Sequence, residues 1–368
     1  MKILILADPS SSHTMKWVNS LHRRKIDVFL FGLSKYDQTQ YDDGIKIELL
    51  QTPDRIKAKL DGSFLKMMYL AAFPRLKKII NSFKPDILHA HYAASYGLIG
   101  AFTGFHPLII SVWGIDILKF PNNSLLHKKM IEYSLKKANK VLATSDYLAK
   151  ETNKYTNKEI LITPFGIDVE EFKPKIVDPI FKGDDIVIGT VKSMERKYGI
   201  DYLIKSFSII KIKYPHKNLK LLLVGGGSLE AKFKLMIDEL GISNSSVITG
   251  HIPYNKVPEY HNQLSIAVYV SKVESFGVSI LESSACEKPV VVSDVGGLPE
   301  VVEKNVTGFI VKANDIEATT EAIEKLILDK ELRGKFGKAG RARVKDKFHW
   351  HNNLQDMINI YNQIVSNK

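Results

Sequence analysis

The chain has 368 residues, 45% hydrophobic and 25% charged, an ordinary make-up for a folded protein and, at about 150 residues per domain, enough for two domains. Disordered, collagen-like and coiled-coil chains are excluded, and the single cysteine, Cys286, excludes an internal disulfide framework or a Cys-rich zinc site and fits a reducing, cytoplasmic setting. The net charge of +12 is concentrated: residues 1–150 hold 22 Lys+Arg against 12 Asp+Glu, and the remaining residues 30 against 28, so an anionic partner is expected on the first part of the chain.

The elements alternate. Residues 2–7 are a short apolar run, too short for a signal peptide and expected as a buried first strand. A turn-rich stretch, 8–12, leads to a helix over 13–24 with Met15, Val18 and Leu21 on one side. Strands are expected at 28–31, 86–89, 108–112 and 140–144, each beside a helical stretch. This is the pattern of a parallel sheet covered on both faces. The stretch 173–183, with two prolines and mixed charge, is expected as a linker. Alternation then restarts, with strands at 186–191, 219–224, 247–249, 266–270 and 289–293 and helices at 200–214, 228–240 and 276–286. The tail from 316 is mostly helical, and no apolar run reaches the roughly 18 residues of a membrane span. Two doubly wound α/β domains follow, 1–172 and 184–347. Ligands of such sheets bind at the carboxyl ends of strands, so a central cleft between the domains is the expected site.

The strongest chemical signal is Glu274-Ser-Phe-Gly-Val-Ser-Ile-Leu-Glu282, which follows a strand and opens a helix. A helix N-terminus offers unpaired N–H groups and the positive dipole end to phosphate. Gly277 lets backbone approach a ligand. Two carboxylates flanking such a site could grip the sugar and the ribose of a nucleotide-sugar; the plain alternative is a dipole complement plus an exposed helix glutamate. Gly225-Gly226-Gly227 lacks the spacing of a dinucleotide fingerprint and is expected as a close-packed turn. Gly296-Gly297 is expected as a turn into a helix, and Cys286 as core.

The stretch SKVESFGVSILESSACEKPVVVSDVGGLPEVV resembles the signature of family 4 retaining glycosyltransferases of the GT-B fold. TPFGIDVEEFKP, KSMERKYGIDYLIKSF, LLVGGGSLE and VTGFIVKAND match further blocks of that family in order, along nearly the whole chain. The resemblance implies a GT-B architecture with an N-terminal acceptor domain, a C-terminal donor domain and a last helix, about 350–366, returning to the first. It implies a hexosyltransferase that moves a sugar from a nucleotide diphosphate to an acceptor hydroxyl with retention. Glu274 would contact the donor sugar and Glu282 the ribose. Ser275 and the amides of Phe276, Gly277 and Val278 would lie against sugar and phosphate. The family places an Arg and a Lys on the diphosphate. Here Lys192 holds the first position, a point charge in place of a fork. Tyr198 stands where the second lysine is usual, so Lys197 is assigned the role, with Arg196 as competitor. His91, at a strand end, matches a histidine that faces the donor, and His89 is expected to pack inside. Where many relatives carry glycines this chain has Ser11, Ser12 and His13, which could cradle phosphate or shape the acceptor side; Ser12 could equally cap the helix. Asp116 could orient an acceptor hydroxyl or cap a turn.

No Asp-x-Asp pair is present to hold a metal on a diphosphate, so no cofactor is expected and the two lysines would neutralise the leaving group. The basic surplus centres on 55–80, where Arg55, Lys57, Lys59, Lys66, Arg75, Lys77 and Lys78 are interleaved with Phe64, Leu65, Met67, Met68, Tyr69 and Leu70. That composition suits docking on an anionic membrane that carries a lipid-linked glycan acceptor, and no nucleic-acid recognition motif accompanies it. Two other readings are a nucleotide-sugar epimerase on the same fold and a non-catalytic basic module for membrane or nucleic acid.

Overall fold

The computed structural model describes residues 1–50 and 72–366. The chain divides into two compact units, Met1–Pro164 with Asn353–Lys368, and Phe165–Asn352.

The first unit is built on seven parallel strands: β1 (Lys2–Leu6), β2 (Asp27–Gly32), β3 (Lys46–Leu49), β4 (Ile87–His91), β5 (Leu108–Val112), β6 (Lys140–Ala143) and β7 (Ile160–Ile162). Their order is β3-β2-β1-β4-β5-β6-β7. Ile3 is in register with Val28 on one side and Ile87 on the other. Central strands such as LIISV of β5 are buried at every residue, which is why they read as nearly continuous apolar runs. Helices cover the faces by burying one stripe each: Phe73–Phe83 buries Leu76, Ile79 and Phe83. The helix Trp350–Ser366 buries Asn353, Leu354, Met357 and Tyr361, and from Asn353 onward it belongs to this unit.

The second unit has six parallel strands: β8 (Ile186–Val191), β9 (Leu219–Val224), β10 (Ser246–Ile248), β11 (Ile266–Tyr269), β12 (Val290–Ser293) and β13 (Gly308–Val311). The order is β10-β9-β8-β11-β12-β13, with Ile188 between Leu221 and Ile266. In both sheets the order reverses next to the first strand, between β1 and β4 and between β8 and β11. In doubly wound sheets ligands bind at the carboxyl ends of the strands beside such a reversal.

Residues 173–183, expected as a linker, belong to the second unit. Asn262 Nδ2 donates to the Lys173 carbonyl and the Lys175 N–H donates to Asn262 Oδ1, both at 3.0 Å. Gln263 repeats the pattern, donating to the Asp178 carbonyl at 2.7 Å and accepting from the Ile180 N–H at 3.1 Å. Side-chain amides thus satisfy a backbone that Pro174 and Pro179 keep out of any sheet. Of the basic segment, 55–71 lies outside the described residues. Arg75, Lys77 and Lys78 are exposed on the helix Phe73–Phe83, where Arg75 pairs with Glu48 at 2.6 Å. Among the described residues no helix is long and apolar enough to cross a membrane.

Candidate active site

Lys192 is the first residue after β8, and Glu274 lies in the loop after β11. These strands are neighbours at the reversal point, so 82 positions of sequence separation close to a contact. Lys192 Nζ is 2.8 Å from Glu274 Oε2, with only 15% and 14% of the two side chains exposed. Burial by itself pushes the Lys192 pKa down. Glu274 opposes it, and Tyr198 and Glu282 add to the opposition, so the Lys192 pKa lies above the ordinary lysine value. Lys192 is therefore a fixed positive charge at the carboxyl edge of the sheet.

Lys197 is brought to the same place. The short turn Arg196–Tyr198 lays the Tyr198 ring under both ammonium groups, 4.4 Å from Lys192 Nζ and 4.8 Å from Lys197 Nζ. Tyr198 therefore holds two cations on its faces where the family pattern has a cation itself. Arg196 and Lys197 are both exposed. The Lys197 carbonyl accepts from the Lys272 N–H at 2.7 Å, tying this turn to the loop that carries Glu274.

The helix Val278–Ala285 starts at Gly277, whose φ of 113° favours glycine. A Cβ there would meet Leu298 Cδ2 at 2.9 Å and Ile280 Cδ1 at 3.0 Å. Phe276 is 2% exposed, and its ring lies 6.1 Å from that of Phe165 and 5.9 Å from that of Phe348. The Gly296-Gly297 turn packs on this loop, its Gly297 N–H donating to the Glu274 carbonyl at 3.4 Å. Glu282 is buried on the helix, with His261 Nε2 3.3 Å from its Oε2. Gly225–Gly227 is a packing turn: Cβ atoms at Gly225 and Gly227 would meet the carbonyls of Lys192 at 2.4 Å and Met194 at 2.6 Å. It thereby supports the backbone that presents Lys192. Cys286 is buried, its thiol pushed up to about 12 mainly by burial, as a core residue should be.

In the first unit, His91 ends β4 at the reversal point. Its ring lies 4.3 Å from Trp113 and 4.9 Å from His89, and its Nδ1 is buried without a hydrogen bond. Burial, with His89 and His13 nearby, keeps its pKa well below the ordinary histidine value, so the ring is neutral. His89 packs inside: Nδ1 is 2.6 Å from the Tyr361 hydroxyl and Nε2 2.8 Å from Ser111 Oγ. His13 meets the edge of Trp113 at 5.9 Å. Ser12 is the first residue of the helix Ser12–Arg23 and does not cap it; Ser11 stands at the cap position, with no side-chain cap bond. Asp116 takes the turn-capping alternative. Its oxygens accept from the Ala93, Gly114 and Trp113 N–H groups at 2.8, 2.9 and 3.3 Å. Burial raises its pKa against those three bonds, and its carboxylate ties the loops after β4 and β5 together. The partners His261, Trp113 and Tyr361 carry no motif and emerge only from the folded arrangement.

Two family profiles cover most of the chain: "Glycosyl transferase 4-like" over residues 2–145 and "Glycosyl transferases group 1" over residues 172–343. The capsular polysaccharide biosynthesis glycosyltransferase CapM of Staphylococcus aureus is 30% identical over 372 residues, covering 95% of this chain and 93% of CapM. An uncharacterised glycosyltransferase of Methanocaldococcus jannaschii is 26% identical over 95% of this chain and 94% of its own. Among solved structures, the sucrose-phosphate synthase of Thermosynechococcus elongatus matches with a TM-score of 0.82 over all of both chains at 18% identity. HepE of Anabaena, solved in complex with UDP and glucose, matches at 0.78 over 99% of this chain and all of its own, also at 18%. The two parallel, doubly wound sheets and these likenesses make the fold GT-B. The chain belongs to the group 1 glycosyl transferases.

Proposed function

We propose that this glycosyl transferase moves a hexose from a nucleoside diphosphate sugar to an acceptor hydroxyl with retention at the anomeric carbon. The observation that carries the reading is the buried Lys192–Glu274 pair at the reversal point of the second sheet, beside the helix N-terminus at Gly277 and within the influence of Glu282. A lysine held charged there can offset the charge that grows on a departing diphosphate. Glu274, adjacent to it, would accept hydrogen bonds from sugar hydroxyls, and Glu282 from the ribose. Lys197, steered by the Tyr198 ring, would add a second charge, so that lysines and helix amides bear the diphosphate without a metal. In a front-face displacement the bond between the anomeric carbon and the diphosphate oxygen breaks first. The departing oxygen then takes the proton of the acceptor hydroxyl as the new glycosidic bond forms on the same face. His91, neutral and with a buried unbonded Nδ1, is proposed as a hydrogen-bonding group for the reacting sugar.

UDP is the first nucleotide to test, because HepE was solved with UDP and with UDP-glucose. A lipid-linked or cell-surface glycan precursor is the proposed acceptor class, supported by the basic face of Arg75, Lys77 and Lys78 and by the likeness to CapM. That face would dock on an anionic membrane, with basic residues near such a surface adding about 1 kcal/mol each. The test is incubation with a panel of UDP-, GDP- and ADP-sugars, with and without chelator, followed by nucleotide release and by NMR of the product. Release from one donor class, chelator-resistant, with an axial donor giving an axial product, is expected. An inverted anomeric centre, or release that needs added divalent metal, would overturn the corresponding part of the reading.

A further inference from the structure

Glu282 is held in place from one side. His261, on the helix Val257–Gln263, is fully buried, with Nδ1 2.8 Å from Ser283 Oγ as well as Nε2 3.3 Å from Glu282 Oε2. Ser283 Oγ is 2.8 Å from the Tyr269 hydroxyl, at the end of β11. The direction of this chain follows from its carboxylate end. An ionised carboxylate can only accept, so Nε2 carries the proton and donates to Glu282. An imidazole carrying a single proton at Nε2 accepts at Nδ1, so Ser283 donates to it, which leaves the Ser283 oxygen to accept from Tyr269. Each hydrogen bond in the row then has one direction. The Phe172 ring, edge-on at 5.9 Å, closes the remaining side of the imidazole.

We infer that His261 is a positioning residue for the nucleotide: it fixes one oxygen of Glu282 so that the carboxylate meets the ribose hydroxyls in a set direction. The inference rests on the ribose role given to Glu282 above. A glutamate has three rotatable bonds, and a carboxylate already held by the fold is not ordered at the expense of binding. A ribose contact changes little between bound substrate and transition state, so its loss appears in Kd and KM and not in kcat.

Two substitutions separate this role from mere core packing. The amide nitrogen of glutamine can take the place of the donor Nε2, and the amide oxygen of asparagine the place of the acceptor Nδ1. His261→Gln thus keeps a donor to Glu282, while His261→Asn keeps a partner for Ser283 and loses Glu282. The readouts are the Kd of whichever of UDP, GDP and ADP binds the wild type, measured by calorimetry, and donor KM and kcat. His261→Asn is expected to weaken nucleotide binding about tenfold, the worth of one hydrogen bond to a charged group, and to raise KM alike with kcat unchanged. His261→Gln is expected to stay within about threefold of wild type, and in a Glu282→Ala background His261→Asn is expected to add nothing. Equal affinities for the two His261 variants, or a full loss on top of Glu282→Ala, would overturn the inference. If His261→Asn does not fold, Ser283→Ala frees the Nδ1 end instead; weaker nucleotide binding in Ser283→Ala supports the inference, and unchanged binding overturns it. If Glu282→Ala itself leaves nucleotide affinity unchanged, the ribose assignment falls and takes this role with it. If Glu282→Ala weakens binding and His261→Asn does not, only the positioning role falls.

Discussion

Replacing Lys192 with methionine keeps the length of the side chain and removes its charge. In the folded chain that charge sits 2.8 Å from Glu274, and 14% of the glutamate side chain is exposed. Removing one partner of a buried pair costs about 3–5 kcal/mol, and the residual exposure of Glu274 places this site near the lower figure. The loss in chemistry is separate. Removing one group that stabilises developing negative charge typically lowers turnover about 10²–10³-fold, or about 3–4 kcal/mol of transition-state stabilisation. The two effects part in the double variant Lys192→Met/Glu274→Gln. With no uncompensated charge left, most of the stability should return, whereas turnover should stay low. Chemical denaturation reads the first effect, and nucleotide release from the accepted donor reads the second. A folded Lys192→Met protein that turns over within threefold of wild type would refute the assignment. So would a double variant that regains turnover together with stability.

Gly277→Ala should cost about 1–3 kcal/mol, because φ is 113° and the new Cβ would press on Leu298 and Ile280; an unchanged denaturation midpoint would show that the loop relaxes freely. Asp116→Ala strands three backbone N–H groups and should cost at least about 3 kcal/mol, with Asp116→Asn less damaging; equal stabilities would remove the loop-tying role. His89 has its pKa lowered to about 3 by burial. Its unfolded value near 6.5 means that the unfolded chain binds the proton first as pH falls. The stability tied to neutral His89 is thus complete above about pH 6.5 and lost progressively toward pH 3, about 2 kcal/mol being gone at pH 5. Urea denaturation at pH 8 and pH 5 should show this loss in wild type and a smaller one in His89→Gln; equal losses would place the acid sensitivity elsewhere.

The central strands were legible because a parallel sheet buries both faces, and β1, β5, β8 and β9 read as mostly apolar runs. The edges were not. Of the four edge strands only β10 was expected, from the run 247–249; β3 and β7 are short and at most half-buried, so no apolar run announces them. The prolines of 173–183 suggested a free linker, since nothing in that stretch shows that Asn262 and Gln263, some 85 residues on, would bind its backbone. At the candidate site, Lys192 and Glu274 stand one after the end of a strand and a few residues after another, a placement that patterning predicts. Their contact depends on strand order, which periodicity does not carry. His261 and Tyr361 were out of reach for the same reason: a histidine or tyrosine on a helix has no spacing signature when its partners come from other elements. Asp116 was ambiguous by sequence, because a carboxylate that caps turns and one that holds a hydroxyl look alike until the three N–H groups are in place.

The central claim is that Glu274, Glu282 and Lys192 form a nucleotide-sugar site, and nucleotide-dependent stabilisation tests it most directly. Wild type and Glu282→Ala would be melted with UDP, GDP, ADP and NAD in turn, in the presence of chelator. A ligand at about 100 times its Kd should add roughly 2.7 kcal/mol to the folded state. One nucleoside diphosphate is expected to raise the wild-type melting temperature, with a smaller rise in Glu282→Ala and none with NAD. A wild type that responds to none of them, or a Glu282→Ala protein that responds as fully as wild type, would contradict the claim.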